Sequence, residues 1–99
     1  MDVAAQFGDN LVRARKSADM SQDELSVRAS VHRTEISQLE RGLRIPRIDT
    51  LAKLSACLEV EPGELMVGIN WSPGDVRIGR FRSPEGDRQR NEGGRGGAR

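Results

Sequence analysis

The tightest constraint on this chain is the distance between two helical patterns. Ser21 followed three residues later by Glu24 forms a capping box, in which the Ser oxygen accepts a backbone N–H and the Glu reaches back to the cap. A helix therefore starts at about Gln22 and runs through Leu25 and Ala29. It stops near Ser30, because a new pattern, with Ile36 and Leu39 three apart, begins almost at once and ends at Gly42. A connection of about three residues remains, and a turn that short makes two helices cross steeply.

This crossing pair is the helix-turn-helix arrangement, and the remaining segments supply its packing partners. Phe7, Leu11, Ala14 and Ala18 fall at steps of four, three and four, which predicts a first helix over 3–18. After Gly42, Pro46 ends the polar connection, and Ile48 or Asp49 opens a fourth helix with Leu51, Leu54, Ser55 and Leu58 on one face. Pro62, tolerated in a first turn, opens a short fifth helix, "PGELMVG". The expected fold is all-α: five helices over residues 3–69, closed by Phe7, Leu11, Leu25, Val31, Ile36, Leu39, Leu51, Leu54, Leu58 and Leu65. An extension over 70–82 should hold a short strand, since Val76 and Ile78 alternate with Arg77 after the Pro73-Gly74 turn. A lone strand is unstable in water. It must lie on the helices, pair within the extension, or pair with a second subunit. Residues 83–99 contain no large apolar side chain and are expected to be disordered, with "GGRGGAR" a flexible end.

Composition narrows the functional classes. At 99 residues there is room for one small core. No apolar run or leader pattern directs the chain to a membrane, so it is expected in the cytoplasm, at the nucleoid if it binds DNA. One Cys and one His leave no disulfide, no metal set and no Ser-His-Asp arrangement, and no glycine-rich phosphate loop precedes a helix. Neither a metal, a cofactor nor enzymatic activity is expected. Residues 1–70 hold nine Lys or Arg against eleven Asp or Glu, a balance of −2, while 71–99 stand at +3. If the helical part binds nucleic acid, its positive charge must be gathered on one face.

The segment from Phe7 to Leu65, about 60% of the chain, resembles the Cro/C1-type (XRE-like) helix-turn-helix family, with the compact architecture of the lambda-repressor DNA-binding domain. The likeness rests on several motifs in register: "MSQDEL", "ISQLERG", P-x-I-x-T-L at Pro46–Leu51 and V-x-P-x-E-L at Val60–Leu65. It implies a sequence-specific regulator of transcription, most simply a repressor, binding a palindromic site on double-stranded DNA as a homodimer. By position, Arg33, Thr34, Ser37 and Gln38 would face base edges. Gln22, Arg41, Arg44 and Arg47 would meet phosphates, with Arg13 or Lys16 reaching the backbone from the first helix. The resemblance also implies that Arg15 and Glu40 form an internal salt bridge. Four positions depart from the family pattern: His32 replaces a capping Ser or Thr, Ser30 and Glu59 replace glycines, and Ser26 replaces Ala.

Each assignment has a plainer counterpart. Arg33 and Gln38 could be an ordinary solvated helix face, and Arg41, Arg44 and Arg47 an ordinary charged loop. Cys57 is expected as a small buried residue and not a redox sensor. Trp71 fits equally a lid on the core and, with Val76, Ile78 and Phe81, a dimer seam. The alternative function is an antitoxin or adaptor that uses the same fold to hold a protein partner.

Overall fold

The computed structural model describes residues 2–74 and 78–82. They fall into two compact units, one from Asp2 to Val67 and one from Gly68 onward. The first unit contains α1 (Val3–Ser17), α2 (Gln22–Ala29), α3 (Arg33–Glu40) and α4 (Ile48–Leu58), followed by a 3₁₀ helix at Pro62–Met66. The second contains β1 (Asn70–Ser72) and β2 (Arg80–Arg82), paired antiparallel. Among the described residues no helix is long and apolar enough to cross a membrane.

Local chemistry accounts for most helix ends. Asp2 caps α1 by accepting from the Ala5 N–H at 3.2 Å. The capping box of α2 forms as expected, with Glu24 N donating to Ser21 Oγ at 3.0 Å and Ser21 N to Glu24 Oε1 at 3.1 Å. Ser30 ends α2 at φ 55°, Glu59 ends α4 at φ 58°, and Gly42 takes φ 74° just past α3. Two of these three left-handed positions therefore carry a Cβ that the conformation disfavours. His32 precedes α3 without a side-chain cap, leaving that helix start held by its neighbours.

The expected fifth α-helix is corrected to a 3₁₀ turn. Five residues leave little room for i→i+4 bonds, and Glu64 N instead bonds the Glu61 carbonyl at 2.8 Å. The buried apolar set is Phe7, Leu11, Leu25, Ala29, Val31, Ile36, Leu39, Leu54, Leu58 and Leu65. Leu51, expected inside, is only half-buried, because α4 turns Thr50, Leu54, Ser55 and Leu58 inward.

Helix α1 lies very close to the end of α3. A Cβ on the buried Gly8 would stand 2.6 Å from the Leu39 carbonyl oxygen and 2.7 Å from that of Glu40. Asn10, two residues further along α1, is buried and fully bonded: Nδ2 donates to the carbonyls of Leu65 at 2.9 Å and Val67 at 2.8 Å. Its Oδ1 accepts from Gln6 Nε2 at 3.1 Å and Arg13 Nη2 at 2.6 Å. This single amide fastens the 3₁₀ segment to α1.

The short strand expected in the extension is present as a pair, β1 and β2. Ile78 stands outside both strands, and Val76 lies outside the described residues. Pairing occurs within the extension, where Trp71 sits opposite Phe81 with ring centroids 5.1 Å apart at 75°. An edge-to-face aromatic pair of this kind adds cross-strand contact to a short two-stranded ladder. A Cβ on Gly79 would come within 2.5 Å of the Trp71 ring, so glycine lets the aromatic lie across the hairpin.

Candidate nucleic-acid interface

Helix α3 is seated by Ile36 and Leu39, both fully buried. The side chains between them in the helical cycle look outward: Arg33 and Thr34 are exposed, Ser37 and Gln38 half-buried. All four residues expected to face bases thus share one short helix, and the three residues Ser30, Val31 and His32 join it to α2. Val31 is buried, and its N–H donates to the Ser26 carbonyl at 3.2 Å, which holds the turn to the end of α2.

A charged knot fixes the far end of α3. Glu40 Oε2 accepts from Arg15 Nε at 2.6 Å, and Oε1 accepts from Arg15 Nη2 at 3.1 Å and from Gln22 Nε2 at 2.8 Å. Arg15 Nη1 also donates to the Met20 carbonyl at 2.8 Å. The hydrogen bond to Glu40 raises the Arg15 pKa above its ordinary value, against the opposing effect of burial. The Arg15–Glu40 salt bridge is therefore present, and Gln22, placed at the first position of α2, belongs to the same network.

Arg41, Arg44 and Arg47 are exposed on the segment that follows α3. Two of them have side-chain partners. Arg44 Nη1 donates to Gln38 Oε1 at 3.1 Å, and Arg47 Nε lies 3.3 Å from Asp49. Arg33 Nε lies 2.9 Å from Asp23 Oδ1 on α2. On α1, Lys16 is exposed, while Arg13 is tied to the Asn10 cluster. Among the described residues no three His, Cys, Asp or Glu side chains gather to hold a metal ion.

In the hairpin unit, Trp71 and Phe81 are about half-exposed and Ile78 is 91% exposed, so this small unit offers an apolar surface. The sequence reading missed Asn10, Gly8 and Asp23. Asn10 had a signal, a polar residue three positions after Phe7 on the apolar stripe of α1. Gly8 and Asp23 had none, because their partners lie on α3.

A helix-turn-helix family model, HTH_3, matches residues 11–65, more than half of the chain. The control protein C.BamHI of Bacillus amyloliquefaciens is 39% identical over 66 residues, covering 66% of this chain and 82% of that protein. The restriction-modification controller protein C.AhdI of Aeromonas hydrophila superposes with a TM-score of 0.61 at 31% identity, covering 63% of this chain and 94% of its own. The master regulator for biofilm formation SinR, solved in complex with DNA, superposes with a TM-score of 0.58 at 35% identity, covering 60% and 95%.

Proposed function

The chain belongs to the HTH_3 helix-turn-helix family of DNA-binding regulators, and from that premise we propose that it reads a palindromic operator as a homodimer. The observation that carries the reading is the outward row of α3, Arg33, Thr34, Ser37 and Gln38, on a helix whose other face is fully buried.

The major groove of DNA, about 12 Å wide, admits an α-helix, and each side-chain type in the row has a base-edge partner. Arg33 can take guanine N7 and O6 together. Gln38 can bridge adenine N6 and N7, and the Thr34 methyl can touch the methyl of thymine. Phosphates then meet Arg41, Arg44 and Arg47 beside α3, Lys16 and Arg13 from α1, and Gln22 at the start of α2, where free N–H groups and the helix dipole favour an anion. The Arg15–Glu40 bridge touches no DNA and holds α3 at its docking angle against α1. Repression follows if the occupied operator blocks polymerase.

A single eight-residue reading helix covers only a few base pairs, so a dyad of two chains gains both affinity and length of site. The hairpin with Trp71, Ile78 and Phe81 supplies the seam. An isolated two-stranded hairpin is marginal in water, and its exposed apolar side chains favour burial against a second copy. Selection of bound duplexes from random DNA tests the whole reading. A dyad-symmetric consensus with half-sites spaced by about one helical turn is the expected result. Binding without base preference would overturn it.

A further inference from the structure

One ion pair bridges the two helices of the motif where base reading would begin. Arg33 is the first residue of α3, and Asp23 is the second residue of α2. Their side chains are 58% and 79% exposed, yet the Asp23 carboxylate stands 2.9 Å from Arg33 Nε. We infer that Asp23 is a positioning residue that holds the Arg33 guanidinium for a guanine, an inference that rests on Arg33 being a base reader.

The reason lies in the shape of the guanidinium. It is planar, with Nε on the chain side and the two terminal nitrogens forming an outer edge. A carboxylate approaching on the Nε side leaves one N–H of each terminal nitrogen along that outer edge. The outer edge is the one that spans guanine N7 and O6. A free Arg at the surface must lose rotamer entropy to adopt such a pose, and an adjacent carboxylate pre-orders it. Water leaves this site when DNA docks, which strengthens the pair relative to its state in the free protein.

Asp23 also carries a cost that separates this role from a structural one. Its negative charge sits in the first turn of α2, beside the helix start where a phosphate would dock. A residue kept only for the helix dipole would stabilise α2 and weaken binding to selected and random DNA alike, with no effect on base choice. A positioning residue trades general affinity for base choice. Asp23 should therefore weaken binding to random DNA while sharpening preference at one guanine.

The test uses the full chain and three sets of duplex. These are the sequence selected by the wild type from random DNA, its copies with each G·C pair of a half-site replaced in turn by A·T, and a random duplex of equal length. Wild type, Asp23→Ala, Asp23→Glu, Arg33→Ala and the double variant Asp23→Ala/Arg33→Ala are compared. Asp23→Ala is expected to lower discrimination at one G·C pair by up to about five-fold, as for an exposed pair, with random-duplex affinity raised. Asp23→Glu should recover part of it. Arg33→Ala should abolish preference at the same pair, and adding Asp23→Ala should then change nothing there. Equal losses on selected and random duplexes, or additive effects in the double variant, would overturn the inference while leaving Arg33 as a reader. Arg33→Ala with full preference at every G·C pair would overturn the reading beneath it as well.

Discussion

Arg15 Nε lies 2.6 Å from Glu40 Oε2, joining the last turn of α1 to the last residue of α3. The side chains are 13% and 5% exposed, so the pair is largely shielded and not a surface ornament. Glu40 also holds Gln22, which brings α1, α2 and α3 to one carboxylate. Removing Arg15 leaves that carboxylate buried without its cation, and Arg15→Ala is expected to cost about 2–4 kcal/mol in chemical denaturation.

Gly8 permits the approach of α1 to α3. Alanine would normally favour a helix interior by about 1 kcal/mol. Here its Cβ would meet backbone oxygens at 2.6 and 2.7 Å, and backbone cannot swing aside. Gly8→Ala should therefore destabilise, by roughly 1–3 kcal/mol, seen as an earlier urea midpoint with unchanged slope.

Asn10 satisfies two carbonyls at the end of the 3₁₀ segment. Asn10→Leu keeps the volume but strands the Leu65 and Val67 oxygens, at an expected cost of about 1–3 kcal/mol. Hydrogen exchange should show faster opening at 62–67 before the rest of the domain.

Ser30 stands at φ 55°. A left-handed residue with a Cβ is strained by roughly 1–2 kcal/mol, part of which glycine returns to the flexibility of the unfolded chain. Ser30→Gly is expected to raise the thermal midpoint modestly without changing DNA selection, since no proposed contact involves this residue.

Arg44 donates to Gln38, so the two proposed roles on either side of that bond are coupled. Arg44→Ala should lower the salt dependence of binding by about one phosphate contact. It should also change base preference at the position read by Gln38, whose amide oxygen it releases. A charge-only Arg44 would alter the salt slope and leave selection intact.

Most of the helical framework was legible because its signals are local. The Ser21–Glu24 capping box, the stop at Ser30, Gly42 and the apolar steps of Phe7, Leu11, Leu25, Ile36, Leu39, Leu54 and Leu58 each depend on neighbours within about one or two turns. The fifth helix was misjudged because pattern alone does not separate a five-residue 3₁₀ turn from an α-helix. Strand content in the extension was legible, but Ile78 stands outside both strands, whose position follows from the pairing of Trp71 with Phe81.

By itself, then, the sequence determined which segments become helices, how short the turn before α3 must be, and which residue types stand outward along α3. Only the tertiary structure decided how close α1 comes to α3 at Gly8, where Asn10 anchors the 3₁₀ segment, and which partners orient Arg33 and Gln38. Helix periodicity places a side chain on a face of its own helix. The partner it meets depends on the crossing angle and distance between helices, which the packing of all their faces sets together.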